Sequence, residues 1–361
     1  MIESNNIYQR RFSETITWLR FPLIFFIIML HCYSVVKLNG EHEVYFKAVY
    51  PFALWLGETG VPGFFFISGY LFFLSKKSYT KKIETRLHTL LIPYIIWNTI
   101  MLLLYILSYS IGFPQEINNR SLTDFSALDY FRLYWDRGEY DNGNFVPLLC
   151  PLWYIRNLMI MAIISPLLFY IIKYTRELFL IVVGIWWLLS YHNAFIQQTL
   201  FFFCLGAYFS IKEKNPLSVL LNVKYILLIL FAAFAIGDIM LHITSISFYD
   251  LQIHRISLIL NILILIIFAD FLIKRGIKNE YLPHTAFIVF CVHYPIVVAL
   301  RKLCLNIFFD ASETVHIALY FLCILLTTII SLAIYQILSK FFPNIKSILS
   351  GNRWIKNNIL F

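Results

Sequence analysis

Charge is what this chain has least of. Only 14% of its 361 residues are Asp, Glu, Lys or Arg, against about 25% in soluble domains. Hydrophobic residues make up 60% and the mean hydropathy is +0.73, so too few polar residues exist to cover a soluble core. The six cysteines show no CxxC or metal-ligand spacing, and no metal site is expected. They read mostly as small buried apolar residues, with a Cys150–Cys304 disulfide left open because both lie near one face. The first apolar run lacks a small-x-small cleavage site and reads as a retained membrane helix. No repeat and no second soluble domain stand out. The net charge of +9 does not point to nucleic acid, because the basic residues fall in alternate loops between apolar runs.

Long apolar runs are what is there. A spanning helix needs roughly 20 mostly apolar residues. About ten spans follow, near 15–36, 51–75, 88–111, 151–173, 178–191, 195–211, 224–244, 255–273, 285–304 and 315–339. The fifth and sixth are short and form a tight or re-entrant hairpin around His192, Asn193 and Ala194. The expectation is an all-α polytopic membrane protein forming one integral-membrane domain over 1–361. Of the 29 Lys and Arg, 19 fall in segments that lie on the side of the N-terminus and eight in the others, with Arg20 and Arg156 inside spans. This bias places both termini in the cytoplasm. It also makes 112–150 a long extracytoplasmic loop and 340–361 a basic amphipathic tail against membrane lipid.

The polar residues inside the spans carry the chemistry. In RFPLIFFIIMLH, Arg20 and His31 bracket ten apolar residues. Eleven residues is close to three helical turns, so the two share a face within about 20° and stand roughly 16 Å apart along the axis. Arg20 alone also fits a snorkelling anchor, and His31 a hydrogen-bonded interior residue. Glu58 enters the second span from the outside to a depth similar to that of His31, and intramembrane carboxylates usually mark function. It is placed to orient His31, or to pair with Arg156. Ser68 and Gly69 reach the cytoplasmic half of that span, where glycine permits close approach of backbone or ligand. Trp153 and Arg156 open the fourth span, and His293 lies a third of the way into the ninth. Asp238, His242 and Asp270 receive no role. A basic cluster, Lys76, Lys77, Lys81, Lys82 and Arg86, adjoins Arg20 and suits a polyanion, although Lys76 and Lys77 also serve as topology determinants. In the outer loop Tyr130, Phe131, Tyr134, Trp135 and Tyr140 mix with Asp129, Asp136 and Asp141, a combination that suits sugar rings or an interfacial belt.

These motifs resemble the membrane acyltransferase 3 family, the O-acyltransferases of bacterial surface glycans. The first-span Arg20 and His31, VPGFFFISGYLFF with Ser68, RLHTLLIPYIIW with Arg86, PLWYIRNL, FFFCLGAYFS and FCVHYP stand in family order over nearly the whole chain. The chain departs from the family's RxxR at the second position, which is Thr89; Lys82 and His88 are the candidates to replace that cation. The resemblance implies a transferase of the bacterial cytoplasmic membrane that takes an acyl group, usually acetyl, from cytoplasmic acyl-CoA. The acceptor is a hydroxyl on an extracytoplasmic or lipid-linked saccharide. Acyl-CoA is then a co-substrate and no cofactor is permanently bound.

Arg20, Ser68 and Arg86 would receive the CoA end, and Trp153, Arg156 and His293 would line the acceptor side. A buried imidazole is neutral, so His31 would act as general base on the acceptor hydroxyl, or form an acyl-histidine. Glu58 would hold its tautomer. A transporter or flippase for a glycan or lipid precursor is the alternative that intramembrane charge allows.

Overall fold

A computed structural model describes residues 2–33, 43–113, 116–138, 145–190, 195–244 and 250–351. The described residues are helical apart from short connections and one isolated bridge, Ile117 to Arg120. In order they form α1 (Ile2–Cys32), α2 (Glu43–Tyr50), α3 (Gly60–Leu74), α4 (Tyr79–Arg86), α5 (Ile92–Ser110) and α6 (Ala127–Arg132). Then come α7 (Trp153–Thr175), α8 (Glu177–Leu189), α9 (Phe195–Ile211), α10 (Pro216–Asn222), α11 (Lys224–Thr244), α12 (Asp250–Lys274), α13 (Leu282–Ile307), α14 (Glu313–Phe341) and α15 (Pro343–Leu349). Among the described residues seven helical runs are long and apolar enough to cross a membrane, and α8 and α9 are shorter apolar helices. The short α8 and α9 match the expected short fifth and sixth spans; residues 192–194 between them lie outside the described residues. The expected second span stays helical over 51–74 but changes register, π-helical over Pro51–Leu56, 3-10 over Gly57–Thr59, then α3.

A second π-helical turn, Leu87–Leu91, joins α4 to α5. Pro93 follows at the start of α5. It has no N–H to bond the carbonyl four residues back, and the ladder widens there.

Helix α1 is the hub. It packs against α3, α12, α13 and α14, so its buried residues (Phe12, Ile16, Leu19, Leu23, Ile27, Ile28) are nearly inaccessible. At its N-terminal end Arg11 grips Asp270 of α12 with both carboxylate oxygens at 2.6 Å. The closest crossing is α3 on α9. A Cβ built on Gly69 would stand 2.0 Å from the Phe203 carbonyl oxygen, and one on Gly206 2.0 Å from that of Phe66. The two backbones touch, which only glycine allows. The partner expected of Gly69 is therefore backbone.

No disulfide forms among the described residues. All six cysteines are buried thiols, and Cys304 faces Cys323 at 3.7 Å, not Cys150, because α13 and α14 form a hairpin that brings those two together. The tail folds back as α15, whose Leu349 carbonyl accepts from the Trp97 indole at 3.1 Å. Residues 352–361 lie outside the described residues.

Candidate active site

A cavity of about 330 Å³ opens between α1, α3, α4, α7 and α13. Arg20, Lys77 and Arg86 line it together with Ser68, Thr85, Thr89 and His284. Phe64, Tyr154 and Phe290 add an aromatic part to the lining. Arg20, Ser68 and Arg86 thus converge from three helices, as their motifs lead one to expect. The third cation is Lys77, a member of the basic cluster that the sequence also allows as a topology determinant. Lys82 instead lies over the Phe72 ring at 5.0 Å, and His88 is exposed outside the lining. No sequence signal separates Lys77 from its neighbours; the turn after α3 aims it inward.

Next to Phe290 lie the histidines. The Phe290 ring is 5.9 Å from that of Tyr154 and also 5.9 Å from that of His293, so Phe290 forms the floor between cavity and histidines. His31 lies 5.3 Å from His293, ring to ring, and 5.1 Å from Tyr294, edge to face. Arg20 and His31 both turn toward α13, Arg20 lining the cavity with His284 and His31 meeting His293 and Tyr294.

His293 is fully buried. Its Nδ1 lies 2.6 Å from the Phe290 carbonyl oxygen, which can only accept, so Nδ1 carries the proton. Its Nε2 is then a bare lone pair. It has no hydrogen-bond partner among the described residues and no access to solvent. A buried acceptor left unmatched costs on the order of 1–3 kcal/mol, and a substrate hydroxyl would satisfy it.

Three expected partnerships do not form. Glu58 does not pair with His31 or Arg156. Its carboxylate lies 3.1 Å from His254 Nε2, while His254 Nδ1 lies 2.9 Å from Asp238, whose other oxygen accepts from the Tyr50 hydroxyl at 2.7 Å. The register change over 57–59 rotates Glu58 toward α11 and α12 and makes it part of a buried network joining those helices. Arg156 does not line an open acceptor site either. Its guanidinium donates to the carbonyl oxygens of Trp135 and Phe145, both at 2.7 Å, and lies over the Trp135 ring at 4.8 Å. It thereby ties residue 135 to residue 145. Trp153 stacks on Phe195 at 4.1 Å as a core residue. Its neighbour Tyr154 is the one on the cavity, 3.1 Å from the Ser68 hydroxyl. Tyr140 and Asp141 lie outside the described residues.

A cationic cavity beside a buried histidine pair suits transfer of a group carried on a polyanion. A family model, described as an acyltransferase domain, matches residues 14–336. The chain belongs to the acyltransferase 3 family. This membrane acyltransferase is 25% identical over 320 residues to the succinoglycan biosynthesis protein ExoH of Rhizobium meliloti (strain 1021). That alignment covers 83% of this chain and 82% of that protein. No solved structure matches the acyltransferase.

Proposed function

We propose that this acyltransferase moves an acyl group, acetyl by preference, from cytoplasmic acyl-CoA to a hydroxyl of an extracytoplasmic or lipid-linked saccharide. It would work as one integral domain of the bacterial cytoplasmic membrane with both termini inside. The observation that carries the reading is the cavity lined by three cations, with the His31–His293 pair next to its lining residue Phe290. The name of the ExoH relative, a succinoglycan biosynthesis protein, supports a saccharide acceptor.

Phosphates of CoA rest among the half-buried Arg20 and Arg86 and the exposed Lys77, where charge-assisted hydrogen bonds hold phosphate. The pantetheine arm is comparable in length to the roughly 16 Å rise from Arg20 to His31. It runs along α1 past Phe290 and brings the thioester to the histidines. The acceptor arrives from the side of the 116–150 segment. His31 takes the hydroxyl proton while the bare Nε2 of His293 helps hold the acceptor. Ser68 and Tyr154 line the route and bond each other.

The test uses purified protein in nanodiscs with labelled acetyl-CoA and the lipid-linked saccharide fraction of host membranes. Thiol release with label moving to saccharide is expected from the parent, and none above background from His31→Ala with unchanged insertion. Near-parent transfer by His31→Ala would overturn the role of His31. Movement of the saccharide across the bilayer without thiol release would favour the flippase reading.

A further inference from the structure

Thr85, Arg86, Thr89 and Leu90 line the cavity, and the last two belong to the π-helical turn Leu87–Leu91. The end of α15 meets the same turn. A Cβ built on Gly351 would stand 2.6 Å from the Thr89 Cα and 2.7 Å from the His88 carbonyl oxygen. The two backbones are therefore in contact, which only glycine allows. Gly351 also has a φ of +69°, the left-handed conformation in which glycine ends a helix, and its N–H donates to the Ile348 carbonyl at 3.0 Å.

A second tie lies two residues earlier, where the Leu349 carbonyl accepts from the Trp97 indole of α5 at 3.1 Å. Leu349, Ser350 and Gly351 are all buried. Their two attachment points, Thr89 and Trp97, bracket Pro93, where the helical ladder is interrupted. Helix α15 is itself fixed to α14: Lys346 Nζ donates to the Ser339 hydroxyl at 3.2 Å and lies over the Tyr335 ring at 5.2 Å.

The turn needs such support. A π-helical turn is a looser ladder than an α-helix and is a place where helices bend. Helix α4, which ends on Arg86, has no fully buried residue, so its seat depends on the turn that joins it to α5. A guanidinium that grips phosphate through paired hydrogen bonds tolerates little displacement.

We propose that α15 is a strut of the donor site. Through Gly351 and Trp97 it fixes the turn next to Arg86 and so sets the affinity for the phosphate end of acyl-CoA. Neither Gly351 nor Trp97 is among the residues lining the cavity; they are positioning residues that act through the turn. The inference rests on the reading of this cavity as the acyl-CoA site.

The experiment uses the full-length protein in nanodiscs, with acetyl-CoA binding followed by calorimetry and turnover by thiol release. Gly351→Ala pushes a methyl into the turn, and Trp97→Phe deletes the indole N–H. Each should raise Kd and KM for acetyl-CoA about fivefold and leave kcat within about twofold, the pattern of lost ground-state binding. The double variant should add little, because both substitutions free the same turn. Gly276→Ala shares a positive φ (79°) but has nothing within 4 Å; parental binding there separates displacement of the turn from backbone strain. A part that only stabilised the fold would lower the melting temperature and the active fraction and leave the Kd of the remaining molecules unchanged. If Gly351→Ala and Trp97→Phe bind acetyl-CoA with the parental Kd, the proposal fails. Arg86→Ala run alongside separates the readings. Weak binding by Arg86→Ala beside parental binding by Gly351→Ala and Trp97→Phe sinks the strut alone. Parental binding by Arg86→Ala takes the turn out of the donor site and overturns both.

Discussion

His31 and His293 face one another at 5.3 Å, one from the first helix of the chain and the other from the helix that packs along it. His293 gives its Nδ1 proton to the Phe290 carbonyl and keeps a buried lone pair on Nε2 with no partner among the described residues. His293→Phe removes that lone pair at similar volume. Transfer should fall at least tenfold, or about 1.4 kcal/mol of transition-state binding, with the melting temperature held or raised, because a buried unmatched acceptor has gone. Thiol-release kinetics and a thermal shift on the same preparation check both halves.

Lys77 supplies the charge that Thr89 does not. Lys77→Ala and Arg86→Ala should each raise the KM for acetyl-CoA several-fold with little change in kcat, the pattern of lost uniform binding. The Lys77 effect should shrink as salt rises, because that side chain is exposed and screened. Titrating acetyl-CoA at low and high ionic strength gives the answer, and a KM insensitive to both substitutions would remove the phosphates from this cavity.

Arg156 bridges two carbonyls that a lysine cannot reach together, since only the guanidinium offers a fork of donors. Arg156→Lys should therefore behave like Arg156→Ala. Protease cleavage within 136–146 should quicken and kcat should drop, while acetyl-CoA binding stays near the parent value. Limited proteolysis beside isothermal titration distinguishes this from a direct acceptor contact, which would leave the cleavage rate alone.

Glu58 belongs to the network of His254, Asp238 and Tyr50, so its loss should act on stability. Glu58→Ala is expected to lower the melting temperature by several degrees, as when one member of a buried polar network goes. Turnover per folded molecule should stay within a few-fold. A loss of turnover as deep as that of His31→Ala, without thermal change, would return Glu58 to the reacting centre.

Gly206 and Gly69 share the tightest backbone approach among the described glycines. Gly206→Ala places a methyl 2.0 Å from the Phe66 carbonyl oxygen, and backbone cannot step aside as a side chain can. Overpacking of this sort costs about 1–3 kcal/mol or more, so the thermal midpoint should drop and the yield of monodisperse protein with it. Ala at Gly276, where nothing lies within 4 Å, gives a control free of crowding, with only the strain of its positive φ (79°).

Much of this was written along the chain. Run length and hydropathy alone determined that the protein is helical and multi-pass, because a bilayer leaves a long apolar segment no other way to satisfy its backbone. The helical period alone put Arg20 and His31 on one face, since a dihedral repeat needs no partner. Motif order was enough for the family. Tertiary structure decided what those faces meet. Glu58 found His254 because the helix shifts register ahead of it, and Arg156 found two loop carbonyls where a ligand had been expected. Lys77 came to the cavity and Tyr294 to His31 through turns and packing angles. Contacts between helices depend on rotation and tilt, which many small packing terms set jointly, and no short stretch of sequence encodes them.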